Sequence, residues 1–191
     1  NEFLSIREVL DEHIAEHRTN VNALVAVLEE IDRGPSEQSL EIVEAAFIEL
    51  LSPTTSDVGT GTLEALLSSG RIEIIENRRL RTLLAGWNGV ISELWDDQAF
   101  HSKMVVETNI PYFVSAEVPA GAAMRHWYSE WDVPVVTIAD APGNIERLLE
   151  DDRFRILVEI RYGYQKHTAE EFDFVMAGID DILTEIRASR D

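Results

Sequence analysis

Phe3, Ile6, Leu10, Ile14, Val21, Leu24, Leu28 and Ile31 recur at intervals of three and four between Glu2 and Asp32, with one longer step from Ile14 to Val21. At 3.6 residues per turn, such positions form one apolar stripe, which is stable only when buried against another element. The same spacing returns at Leu80, Leu84, Trp87, Ile91 and Leu94. It returns again from Phe154 through Leu157, Val158, Phe172, Val175, Ile179 and Ile182 to Ile186. The only apolar cluster that resembles a strand, Ile72 with Ile74 and Ile75, is too short to build a sheet and has no convincing partner nearby. The pattern therefore predicts an all-α protein, an antiparallel bundle of about four helices.

Stop and start signals divide the chain. Gly34-Pro35 ends the first helix, and Ser36 is expected to cap a second whose buried face is Leu40, Val43, Ala46, Phe47 and Leu50. Ser52-Pro53 closes it. Thr62 is expected to cap a short helix from Leu63 to Ser69, with Gly70 at its C-terminal turn and the isoleucines after it. Asn77 then opens a long helix reaching about Asn109, where Pro111 predicts a kink. Residues 63–76 thus read as a helix-plus-turn plug over one end of the bundle. Residues 119–143, with Pro119, Pro134, Pro142, Trp127, Tyr128 and Trp131, read as an irregular aromatic loop. No repeat or linker splits the 191 residues, so one domain over 1–191 is expected.

Charge and composition exclude several functions. With 36 acids against 16 bases the formal charge is −20. A chain so acidic lacks the clustered cations that grip a nucleic-acid backbone or an anionic membrane surface. It contains no cysteine, which removes disulfides, thiolate nucleophiles and thiolate zinc sites. No apolar run approaches the length that spans a bilayer. The chain begins in mid-pattern without Met, which predicts a piece excised from a longer protein with any anchor upstream.

Few motifs carry chemistry. His13 to His17 reads HIAEH, the H-x-x-E-H pattern of inverted zinc peptidases. On a helix His13 and His17 share a face and can reach one zinc ion, with Glu16 beside them as general base and Glu93 or His101 as a further ligand. Those peptidases set the motif in a larger α/β domain, and His17 falls on the apolar seam, where a hydrogen-bonded core histidine is the simpler reading. Polar residues recur on other seams: Gln98 and His101 continue the Leu80–Leu94 stripe, and Arg161 interrupts the last one. A buried Arg needs an anion. An internal Glu is favoured for that role over a small acidic ligand. His17, His101 and Arg161, with Trp127 and Trp131 of the loop, are the candidate ligand-binding residues. The acid pairs Asp96-Asp97, Asp151-Asp152 and Asp180-Asp181 diverge by about 100° on a helix and read as solvated charges. No Glu-x-x-His, phosphate loop, dinucleotide fingerprint or nucleophile elbow occurs, and no cofactor is expected.

Three stretches carry a resemblance: LEALLSSGRIEIIENRRLRTLLAGW from Leu63 to Trp87, NIPYF from Asn109 to Phe113, and DDRFRILVEIR from Asp151 to Arg161. Their order resembles that of a family of uncharacterised bacterial single-pass membrane proteins, defined by a domain of unknown function. The resemblance implies a helical extracytoplasmic (periplasmic) domain, joined to the membrane only through an N-terminal anchor outside this stretch. It carries no catalytic residues with it. The expectation is a non-enzymatic, sensor-like module binding a small ligand or an unknown protein partner, with a homodimer through its helix seams as a further option. A zinc-dependent hydrolase using His13, Glu16 and His17 is the alternative.

Overall fold

A computed structural model describes residues 2–52, 60–119 and 143–189. All regular structure among them is helical, and the fold is an all-α helical bundle. Helix α1 spans Glu2–Arg33, α2 Ser39–Leu51, α3 Gly61–Ser68, α4 Arg78–Met104, α5 Ile110–Ser115, α6 Asn144–Leu149 and α7 Asp152–Ala188. Most of the aromatic loop, with Trp127 and Trp131, lies outside the described residues. None of the described helices is long and apolar enough to cross a membrane.

Contacts divide the chain into two compact units, and α1, α4 and α7 each contribute to both. The first comprises residues 2–16, 60–97 and 167–189. Its core is Phe3, Ile6 and Leu10 of α1, the Leu80–Leu94 stripe of α4, and Phe172 to Leu183 of α7. Trp87 lies at its centre, 1% exposed, with Phe3 edge-on at 5.2 Å between ring centroids. The plug belongs here: Leu63 is buried, and Leu66, Leu67, Ile72 and Ile75 pack on the same core.

Plug geometry follows from its sequence. Gly70 adopts φ +68°, the left-handed conformation that lets the chain leave α3 without strain. Residues Arg71–Ile74 then form one 3-10 turn. Asn77 caps α4 as expected, its Oδ1 accepting from the Leu80 N–H at 3.0 Å, while its Nδ2 donates to Glu185 of α7 at 2.9 Å. The cap of α3 differs from expectation. That helix starts at Gly61, and the carboxylate of Glu2 in α1 accepts the N–H groups of Thr62 and Leu63 at 2.7 and 3.0 Å. A carboxylate at a helix N-terminus satisfies orphan donors and opposes the helix dipole better than the Thr62 hydroxyl would.

The second unit comprises residues 17–52, 98–119 and 143–166. Its core joins Leu24 and Val27 of α1, Val43, Phe47 and Leu50 of α2, Tyr112 and Phe113 of α5, and Phe154 and Val158 of α7. Two details depart from the sequence reading. Helix α2 begins at Ser39 rather than Ser36, and Leu40 is 37% exposed while Ser39 is buried. The reason is Glu30, a fully buried carboxylate that accepts from both the Ser36 and Ser39 hydroxyls and from Arg33 at 2.9 Å. Ser36 donates its hydroxyl to Glu30 while its oxygen accepts the Gln38 N–H at 3.2 Å, so it closes the turn ahead of α2 rather than the helix itself. Further along, α4 ends at Met104, and a π-turn over Val105–Asn109 leads into α5. Its N–H from Ile110 reaches back five residues to the Val105 carbonyl, a wide turn that absorbs Pro111, which has no N–H of its own to donate.

The Ser36 and Ser39 hydroxyls hold the Glu30 carboxyl below its ordinary value of 4.5. A carboxyl depressed by folding stabilises the native state above its unfolded pKa, and that contribution fades as pH falls through the folded value. Wild type should therefore melt above Glu30→Gln at neutral pH, and the gap should narrow as pH drops from about 5 toward about 3. Paired thermal melts across that window check it. A gap independent of pH would mean that the two hydroxyls do not favour the ionised form.

Candidate functional site

In the first unit α4 and α7 run antiparallel. Asn77 meets Glu185, Arg79 meets Asp181 at 3.4 Å, and at the far end of the pairing Asp97 meets His167. His167 and Glu171 are four residues apart on α7, which places both side chains on one face of that helix. Asp97 projects from α4 into the same place. The ligand atoms of these three residues all lie within 4.8 Å of one another. Among the described residues they are the one group of His, Asp and Glu donors that could share a metal ion.

The distances are informative. His167 Nε2 lies 3.3 Å from an Asp97 oxygen and 3.7 Å from a Glu171 oxygen. Charge-assisted N–H···O bonds close to about 2.7–2.9 Å, so the imidazole nitrogen is held between two carboxylates and in full contact with neither. Desolvation raises the Glu171 carboxyl to about 7, helped by a hydrogen bond to Asp97 and by the charges of Asp97 and Glu93, while His167 opposes the shift. The Glu171 carboxyl thus sits beside a second carboxyl group that disfavours its ionised form.

Beside them a cleft of about 310 Å³ opens along α4 and α7. Val90, Leu94, Phe174 and Val175 form its apolar wall, and Glu93, His167, Glu170 and Glu171 its polar one. His167 and Glu171 therefore belong both to the trio and to the cleft. The side chains of His167, Asp97 and Glu171 are 59%, 33% and 22% exposed, an arrangement that leaves the trio open to solvent on one side.

The residues singled out from sequence fall elsewhere. His13 is half-buried, 4.0 Å from an exposed Glu16, and His17 is buried; their donors do not gather into a group that could hold an ion. Glu93 lines the cleft beside His167 and Glu171 but is not one of the three donors that could share an ion. Arg161 is fully buried in the second unit and meets an internal carboxylate. Its Nε donates to Glu49 Oε1 at 3.0 Å and its terminal nitrogen to the Ser52 carbonyl at 2.8 Å. Gln165 donates to the same Glu49 oxygen. Burial pulls the guanidinium below its usual pKa, and Glu49 pulls it back. His101 is buried edge-on to Tyr164 at 5.4 Å. These groups build a polar core in the second unit, and Arg161 already has its anion.

A second cleft, of about 230 Å³, lies in the second unit around Tyr112, Asp151, Arg147 and Arg153. Its groups satisfy one another. Tyr112 donates to Asp151 at 2.9 Å, Arg153 sits 4.9 Å over the Tyr112 ring, and Arg147 donates to the Ala116 carbonyl at 2.6 Å. Burial and Asp151 push the Tyr112 phenol well above its ordinary value. This network ties α5 to the start of α7.

Sequence reasoning passed over all three residues of the trio. The sequence pattern places Asp97 in a solvated acid pair and singles out neither His167 nor Glu171. The one signal was H-x-x-x-E at 167–171, which puts two donors on one helical face. The third donor depends on which residue of α4 lies opposite. Compared with known proteins, the chain matches no family model, no curated protein and no solved structure.

Proposed function

We propose that this chain is a non-enzymatic binding module that takes a small cationic ligand on the α4–α7 face of its first unit. The observation that carries the reading is the convergence of Asp97, His167 and Glu171 at the mouth of a cleft that also holds Glu93 and Glu170. Asp97 and Glu171 beside the imidazole, with Glu93 and Glu170 lining the cleft, leave an excess of negative charge, and an apolar wall accommodates the body of a ligand. No nucleophile paired with a base accompanies them among the cleft residues, which favours binding over bond-making chemistry.

The resemblance of residues 63–87, 109–113 and 151–161 to an uncharacterised bacterial membrane-protein family supports the setting: an extracytoplasmic domain tethered by an anchor outside the described helices. In that setting the module reports a ligand of the periplasm to its membrane-bound remainder.

Two measurements test the two parts. A nitrogen-15 NMR titration of the protein with Mg²⁺, Zn²⁺ and putrescine, with acetate as the anionic control, should shift amides of residues 90–97 and 167–175 with at least one cation and leave them unmoved by acetate. Silence with all three cations overturns the binding reading. For the setting, the full-length protein fused to alkaline phosphatase at its C-terminus should be active in a bacterium, because that enzyme folds only outside the cytoplasm. An inactive but expressed fusion overturns the extracytoplasmic assignment.

A further inference from the structure

We infer that Asp97, His167 and Glu171 form a binding site for a divalent first-row transition-metal ion, of which Zn²⁺ is the probe of choice. The inference rests on the cation-binding reading above and narrows it to one ligand class at one point beside the cleft.

Geometry carries it. Four donors held about 2.0–2.1 Å from a tetrahedral ion stand about 3.3 Å from each other. The two separations from His167 Nε2, 3.3 and 3.7 Å, sit at or just above that edge length. They are too long for the short hydrogen bonds that an imidazolium would make with either carboxylate alone. The donors also come from rigid elements. His167 and Glu171 are one helical turn apart on α7, and Asp97 lies on α4, paired antiparallel with it. No loop has to order for the three to meet.

Donor chemistry narrows the ion. One imidazole nitrogen with two carboxylate oxygens suits Zn²⁺, Mn²⁺, Fe²⁺ and their neighbours, whereas Mg²⁺ and Ca²⁺ favour all-oxygen shells. Three protein donors with an open solvent side leave the remaining positions to water.

Isothermal titration of the intact protein with ZnCl₂, and separately with MgCl₂, tests the site. One equivalent of Zn²⁺ is expected to bind, with Mg²⁺ much weaker. His167→Ala and the near-isosteric Asp97→Asn should each weaken Zn²⁺ by at least about 10-fold, since even outer-shell changes weaken metal sites by about 10–100-fold. Circular dichroism of both variants should match wild type, and His13→Ala should bind as wild type does. The inference is overturned if Zn²⁺ does not bind below about millimolar concentration, or if both variants bind it as wild type does. It is equally overturned if His13→Ala abolishes binding, which would move the ion to the H-x-x-E-H helix. If Zn²⁺ fails here while Mg²⁺ or putrescine still shifts residues 90–97 and 167–175, the cation-binding module stands and the transition-metal site falls.

Discussion

Replacing Glu49 by alanine is expected to destabilise the protein by about 3–5 kcal/mol, the usual effect of stranding one member of a buried ion pair. Arg161 is fully buried and Glu49 is 4% exposed, so neither has water to turn to. Glu49 takes donors from Arg161 Nε, the Arg161 terminal nitrogen and Gln165, and one substitution removes all three contacts. Urea unfolding followed by circular dichroism measures the loss. A companion variant separates the value of the pair from the penalty of breaking it. Glu49→Leu combined with Arg161→Met should recover most of the loss, because apolar residues of similar volume often match a buried ion pair. If Glu49→Ala loses less than about 1 kcal/mol, the guanidinium has found another anion or solvent, and the polar core is looser than its geometry indicates.

The second large effect is expected in the first unit. Trp87→Ala should lose about 3–5 kcal/mol, the range for deleting a large aromatic from a packed core. Trp87 is among the largest fully buried side chains of the protein, and its ring packs edge-on against Phe3 and lies 3.4 Å from where a Cβ on Gly178 would sit. A methyl side chain leaves a void there that three helices would have to collapse to fill. Trp87→Phe should lose clearly less. It keeps an aromatic against Phe3 and removes an indole N–H that finds no acceptor among the described residues. Thermal melts of the two variants beside wild type test the order. Equal losses would mean that the indole N–H is satisfied in solution and contributes as much as the ring.

The trio of Asp97, His167 and Glu171 shows where sequence reading stops. Helical period is a local property, so the apolar stripes announced the all-α class and placed Leu10, Trp87, Ile91, Phe172 and Ile179 in cores without any knowledge of neighbours. Local chemistry likewise announced Gly70 at a left-handed turn and Asn77 as a cap. Arg161 on an apolar seam demanded an internal anion by the energetics of buried charge alone. Which anion answered was a tertiary matter, since Glu49, on another helix far away in sequence, had to face it.

The same division explains the errors at α2 and α3. Thr62 is a competent cap by composition, yet Glu2 took the N–H groups at the start of α3, and Ser36 closes the turn ahead of α2, its oxygen on the Gln38 N–H and its proton on Glu30. It also explains the site. H-x-x-x-E on α7 is an ordinary ion-pair spacing in a chain rich in acids, and Asp97 is one of two adjacent aspartates. The antiparallel register of α4 against α7 turned Asp97 toward His167. Period and composition placed most of the buried apolar residues, with Leu40 an exception. Register between helices, set by how side chains interdigitate across the core, decided which polar residues meet.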